Sequence, residues 1–391
     1  MDLYNKKILL VVYEGNLGGA ERQGLGISKI LTTKYNCTVN VLLTYKRETS
    51  EDFKSFAKEC HIKNILYFGD PYLVFRKEFS YKNFKRLVWS IKYLLRLRKG
   101  IRPFEPDIII PFLNYPSTVS YYLYKMLPSV KFTFWHQLGL DRISYDVFER
   151  IAVKNTPCII GNASNCLEML KDVYKLNPEK LYVLPQYVSL EYQIFNKELI
   201  KKKYRITQGA IVIGMVAHYR EEKFHGLLLQ TFENLCEKYD NIHLVFLGNI
   251  ENHSHSQEKF KELSVSIQEK KHQSKILQLS GVKVQEILSV LDIGVLVSRV
   301  EGTPNAIMEY MLYGLPVVSS NHPGCVELLK NSSFLIENNE EQLYKNLEKL
   351  IVSENERKSE GIKNIELIKA YDMDSYINDF EKIMNETLNR K

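Results

Sequence analysis

The 391-residue sequence has six cysteines, Cys37, Cys60, Cys158, Cys166, Cys236 and Cys325, and no two of them form a C-x-x-C pair. Cysteines scattered in this way support neither a structural zinc site nor a disulfide framework, and they suit a reducing compartment. No run of about 18 apolar residues occurs, so the pattern offers no membrane-spanning helix. The apolar run at 8–12 is too short to form the core of a signal peptide. These two absences lead us to expect a soluble, cytoplasmic protein. There is no G-x-G-x-x-G turn, and the second predicted strand ends in Thr44-Tyr45-Lys46 rather than in an acid, which argues against a nicotinamide-dinucleotide enzyme. No D-x-D follows a predicted strand. Asp372-Met373-Asp374 has that spelling but opens a helix, where aspartate serves as a cap. His253-Ser254-His255 falls in a polar stretch that we expect to be a solvated loop rather than a ligand set. No metal and no other cofactor is expected.

What is present is an ordinary globular composition, 45% hydrophobic and 25% charged, in a chain too long for one core. Short apolar runs alternate with helical periodicity, which predicts an α/β protein with parallel sheets. Strands are expected near 7–12, 39–43, 64–67, 106–112, 130–135, 157–161 and 181–184, and again near 211–217, 243–248, 276–279, 292–298, 316–320 and 333–336. The main helices are expected near 20–33, 83–99, 117–126, 164–174, 224–238, 304–313, 323–330, 340–353 and 373–389. The Lys-rich stretch 190–209 reads as a linker. It divides the chain into domains at 1–192 and 205–372, and the apolar stripe of the last helix, 373–391, must be buried against one of them. Charge is uneven. Residues 1–195 hold 28 Lys and Arg against 18 Asp and Glu, so the positive excess lies in the first half, which suits an anionic partner.

The most specific segment is Ser298-Arg299-Val300-Glu301-Gly302-Thr303-Pro304-Asn305-Ala306-Ile307-Met308-Glu309, directly after a predicted strand. Thr303 suits an N-cap and Pro304 the first helical position. A strand, a glycine turn and a helix start leave backbone N–H groups and a helix dipole facing outward, an arrangement suited to a diphosphate. Glu301 lies at the strand's carboxyl end, where open α/β sheets bind ligands. Glu309 shares a helix face with Asn305, and its carboxylate either meets a ligand or lies on a solvated surface.

This segment, with Gly314-Leu315-Pro316-Val317-Val318 and Gly324-Cys325-Val326-Glu327-Leu328 after it, resembles the E-x7-E region of retaining glycosyltransferases of the GT-B fold, family 4. The resemblance implies two Rossmann-like domains facing across a cleft. The first would bind the acceptor, the second a nucleotide sugar, and the last helix would pack back on the first domain. It also implies that Glu301 contacts the donor sugar, that Glu309 contacts the ribose, and that Gly302, Thr303, Pro304, Asn305 and Ala306 meet the sugar and diphosphate. Tyr310 stands where the family usually has alanine.

A second match is Gly214-Met215-Val216-Ala217-His218-Tyr219-Arg220-Glu221-Glu222-Lys223-Phe224-His225. Cations are needed there because negative charge grows on the leaving diphosphate. Lys223 matches the family's phosphate lysine, and either His218 or Arg220 takes the place of its arginine. A third, Gly18-Gly19-Ala20-Glu21-Arg22, is similar to the family's glycine loop, which implies that Gly18 and Gly19 approach the donor, although a lone Gly-Gly turn is more often a simple connection. His136 follows the predicted strand 130–135, at a position where the family has a histidine near the reacting sugar, and Asn114 follows the strand before it.

From Lys82 to Arg102 there are eight basic residues and no acidic one, interleaved with aromatics in an amphipathic pattern. This suits either a core helix with a solvated face or contact with an anionic membrane surface through 81–102. No nucleic-acid motif accompanies the charge. The expectation is a hexosyltransferase that uses a nucleoside-diphosphate sugar and a glycan or polyprenyl-linked acceptor, working in surface polysaccharide synthesis at the inner face of the plasma membrane. A GT-B-like epimerase or phosphorylase, or a non-enzymatic sugar-nucleotide sensor, would share the same pocket.

Overall fold

The computed structural model describes residues 1–76, 80–140, 146–250 and 254–390. The chain divides into two compact units, 1–189 with 372–391, and 190–371.

The first unit runs β1 (Lys7–Val12), α1 (Gly19–Thr33), β2 (Thr38–Leu43), α2 (Glu51–Glu59), β3 (Asn64–Tyr67), α3 (Tyr81–Ile101), β4 (Ile108–Pro111), α4 (Asn114–Met126), β5 (Trp135–Gln137), α5 (Val147–Asn155), β6 (Ile159–Gly161), α6 (Ser164–Tyr174) and β7 (Leu181–Val183). Its strands are parallel, in the orders β3-β2-β1-β4 and β5-β6-β7. A single bridge from Ile108 to Phe132 links the edge of the first sheet to the chain that enters β5. Strand β1 is central and buried on both faces, which is why it reads as an unbroken apolar run. Each of its fully buried Ile, Leu or Val side chains contributes about 1.5–3 kcal/mol.

The C-terminal helix, Met373–Asn389, belongs to this unit and is capped by Asp372, whose carboxylate accepts from the Ser375 N–H at 2.8 Å. Its stripe of Tyr376, Ile377, Phe380, Ile383 and Met384 is buried in the same core as Phe132, Phe134 and Tyr187. Phe380 meets Phe134 with ring centroids 5.6 Å apart, and Tyr376 meets Tyr187 at 5.2 Å.

The second unit runs α7 (Lys197–Lys203), β8 (Ile211–Val216), α8 (His225–Cys236), β9 (Ile242–Leu247), α9 (Ser254–Gln268), β10 (Ile276–Leu279), α10 (Val284–Leu288), β11 (Ile293–Leu296), α11 (Asn305–Leu312), β12 (Val317–Ser320), α12 (Pro323–Leu329), β13 (Leu335–Ile336), α13 (Glu340–Val352) and α14 (Glu354–Ile368). Its six parallel strands form one sheet, β10-β9-β8-β11-β12-β13. The Lys-rich stretch expected to be a linker is part of this unit. Asn196 caps α7, and Lys201, 4% exposed, donates to the Ala210 carbonyl at 3.0 Å. The polar stretch expected around 253–255 is also different. His255 lies in α9, while His253 falls outside the described residues. All six cysteines are thiols, and all are buried.

Candidate functional site

In the second unit the candidate residues gather at the carboxyl ends of β8 and β11, the two middle strands. The loop after β8 doubles back along the chain that leaves β11. Lys223 bridges Ser298 in antiparallel fashion, the Phe224 N–H donates to the Val297 carbonyl at 3.0 Å, and the Arg299 N–H donates to the Glu222 carbonyl at 2.8 Å. This stitching brings the Lys223 ammonium onto Glu301 as a direct ion pair. The side chains are 16% and 9% exposed, so each charge neutralises one that would be costly to bury alone. Arg220 is in the same loop, 3.7 Å from Glu222, and His218 precedes it.

Helix α11 begins at Asn305, with Pro304 rather than Thr303 in the capping position, and proline has no polar side chain to cap it. The expected start is therefore one residue early, because proline's missing N–H fits the position before the first turn equally well. The N–H groups of its first turn lie in the segment that follows Glu301, Gly302 and the buried Thr303. Glu309, 7% exposed, is one turn further along, and Asn305 and Ala306 are half-buried. Gly302 is held from behind: a Cβ at Gly324 would lie 1.9 Å from the Gly302 carbonyl oxygen, so only glycine lets these two backbones touch. The pair's charges also reach Cys325, whose thiol burial pushes up to about 12.

Several residues in this frame had no clear role in the sequence. Tyr310 is fully buried beneath the site. Its hydroxyl accepts from the Val216 N–H at 2.6 Å and lies 3.1 Å from the Val295 carbonyl, joining α11 to β8 and β11. Gly294 makes room for the ring. The Ser298 carbonyl receives Asn338 Nδ2 at 2.7 Å and His322 Nε2 at 2.9 Å. His225 starts α8 and stacks on Tyr219. Its Nδ1–H donates to the Lys223 carbonyl at 2.9 Å, and burial pushes its imidazole down to about 4.

In the first unit, Gly18 and Gly19 open α1 at the carboxyl end of β1, again without a side-chain cap. A parallel bridge from Gly15 to Thr49 ties this loop to the one after β2. His136 lies inside β5 rather than after it, because the chain before it makes only the single bridge at Phe132 and pairing with β6 begins at Trp135. The ring is 2% exposed, against Phe112 and Phe134. Since a carbonyl only accepts, the 2.9 Å contact with Pro111 fixes the proton on Nδ1. Burial pushes this imidazole down to about 4, so it is neutral. Asn114, 6% exposed, opens α4 after Leu113, whose φ of 80° is a strained value for a branched side chain. Among the described residues no group of three or more His, Cys, Asp or Glu side chains could hold a metal ion.

Residues 196–366 match the family model described as Glycosyl transferases group 1. The chain is 24% identical to an uncharacterized glycosyltransferase of Methanocaldococcus jannaschii over 62% of its own length and 63% of that protein's. It is 25% identical to the putative glycosyltransferase EpsF of Bacillus subtilis over 46% of each. The chain thus spans less than two thirds of the length of either relative. Among solved structures, HepE of Anabaena in complex with UDP and glucose superimposes with a TM-score of 0.78 at 15% identity, covering 97% of this chain and 100% of that one. A glycosyltransferase of Rickettsia africae does so with a TM-score of 0.78 at 18% identity, covering 99% and 100%. The second unit carries a glycosyl transferases group 1 domain, and the chain as a whole has the fold of the GT-B glycosyltransferases.

Proposed function

We propose that the protein is a retaining hexosyltransferase of the E-x7-E type that moves a sugar from a nucleoside diphosphate to an acceptor hydroxyl. The observation that carries this reading is the Lys223–Glu301 pair at the strand ends, with the start of α11 just after it in the chain. When the bond between sugar and diphosphate breaks, negative charge grows on the leaving phosphates. A cation and fixed amide dipoles already in place stabilise that charge without reorganising. Glu301 is assigned to the donor sugar's hydroxyls, Glu309 to the ribose, and Arg220 to the diphosphate beside Lys223. The HepE structures with UDP and with UDP-glucose make a uridine donor the first to try.

The Gly18-Gly19 loop is assigned to donor binding, and His136 to a catalytic position near the reacting sugar. As a neutral, fully enclosed ring, His136 orients through its hydrogen bond rather than carrying charge. No metal is assigned. The acceptor is proposed to be a glycan or polyprenyl-linked saccharide in surface polysaccharide assembly, with the enzyme at the inner face of the membrane.

Thermal-shift titration across nucleoside diphosphates and their sugars is the test, because a ligand that binds only the native state raises its stability by mass action. Glu309→Ala is expected to weaken the best ligand by about 10- to 100-fold, the worth of a hydrogen bond to a charged group. An unchanged titration curve would remove the ribose assignment. Turnover of donor without acceptor would favour an epimerase or phosphorylase, and binding without any turnover would favour a sensor.

A further inference from the structure

Helix α3 carries two apolar stripes where a surface helix needs one. The first, with Tyr93, Leu94, Leu97 and Ile101, is buried in the first unit. The second is Phe84, Val88, Ile91 and Leu95, whose spacings of four, three and four residues align them on one face, roughly 120° around the helix from the first. This face is open: Phe84 is 63% exposed, Ile91 47% and Leu95 52%. Tyr81 extends it at the amino end, and Trp89 and Tyr72 form a second exposed aromatic contact at 5.7 Å. Lys85, Lys92 and Lys99 follow one flank at seven-residue spacing, and Arg98 lies on the other.

A helix face turned only to water gains nothing from three large apolar side chains in a row. Something apolar is expected to cover them, and charge selects what it is. A second copy of this helix would bring seven further cations and no acid against the same flanks, which is repulsive. A bilayer with anionic headgroups satisfies both features, because the apolar stripe reaches the acyl boundary while lysine and arginine stems extend outward to phosphates. We propose that α3 is an in-plane membrane anchor that recognises anionic phospholipid through Lys85, Lys92, Lys99 and Arg98 and buries the Phe84-Val88-Ile91-Leu95 stripe. The inference gives the proposed membrane placement its surface and does not depend on the donor chemistry.

Flotation of the full chain with two vesicle types, phosphatidylcholine alone and phosphatidylcholine with an equal part of phosphatidylglycerol, tests it. The protein should float with the anionic vesicles only and be released as salt is raised. Phe84→Ser with Leu95→Ser should lower the partition coefficient at least about tenfold. Lys85→Gln with Lys92→Gln should lower it about fivefold for each charge removed. All four side chains are exposed, so the thermal midpoint should not move, and that measurement separates lost docking from lost folding. Equal retention by both vesicle types overturns the proposal, as does no retention by either. Variants that float as well as the parent also overturn it, and so does a dimer in solution that the serine pair abolishes. Donor titration of the same variants should match the parent, so a failure here and a failure of the donor reading remain distinct.

Discussion

The strand ends of the two units share a device and differ in what surrounds it. Each has a buried, neutral imidazole whose Nδ1–H donates to a main-chain carbonyl at 2.9 Å, His136 to Pro111 in the first unit and His225 to Lys223 in the second. Around His136 the neighbours are Phe112, Phe134 and the Ser117 hydroxyl, which accepts from the His136 main-chain N–H. The loop that His225 braces carries Lys223, paired with Glu301. One sheet plan therefore supports an imidazole enclosed by aromatic rings in one unit and an imidazole that braces a charged loop in the other. Part of the excess positive charge of the first half lies on the exposed surface of α3. Similar architecture leaves the chemistry of a site undecided, and that chemistry is set by the few residues on the loops.

The comparison is tested hardest at Lys223. Lys223→Ala should lower turnover of the donor by about 100- to 1000-fold, because it removes the fixed cation that meets the leaving charge. It should also cost about 3 kcal/mol in denaturant unfolding, because a largely buried carboxylate loses its counter-charge. Adding Glu301→Gln should restore much of that stability but not the turnover, and a double-mutant cycle measures the difference. If Lys223→Ala left both quantities unchanged, the charged loop would be a misreading. Tyr310→Ala, which restores the residue usual in the resembled family, should cost about 3–5 kcal/mol through the cavity left beneath α11.

The glycine loops should part in the same direction. Gly324→Ala forces a Cβ onto a backbone oxygen and should cost about 1–3 kcal/mol. At Gly18 the nearest atom is the movable Glu21 carboxylate, so Gly18→Ala should stay within about 0.5 kcal/mol. Equal costs would mean that the two loops are packed alike.

The smallest effect concerns what the two units share. Both imidazoles titrate near 4 in the native state against 6.5 when exposed. As pH falls below 6.5, the unfolded chain takes up protons that the native one refuses until about pH 4. Stability is therefore complete above 6.5 and declines between 6.5 and 4, by an amount on the order of 2 kcal/mol for each histidine. Urea midpoints measured across that window should flatten by about half in His136→Asn or His225→Asn.

Most strands and helices were legible because parallel sheets bury both faces, so runs such as 7–12 and 211–216 stand out against the polar turns. What escaped depended on partners distant in sequence. Strand β5 begins at Trp135 because β6 pairs there, and the run before it does not reveal that. The segment 197–203 looked like a linker because three consecutive lysines hide Lys201's bond to Ala210 and the cap at Asn196. At the site, Lys223 and Glu301 were legible as separate motifs, but their ion pair depends on an antiparallel bridge that neither motif spells. Tyr310 looked like a neutral departure because its role lies in Gly294 and the Val216 amide, 16 and 94 residues away.

The buried thiols have a practical consequence. All six cysteines are enclosed, and burial raises the thiols of Cys37, Cys236 and Cys325 far above neutrality, which leaves almost no nucleophilic thiolate at working pH. The native chain is thus a silent background for maleimide chemistry. One cysteine introduced on the outer face of α3 and another on the loop after β8 can carry fluorophores without any of the natural six being removed, so distances between the two units become directly measurable in solution.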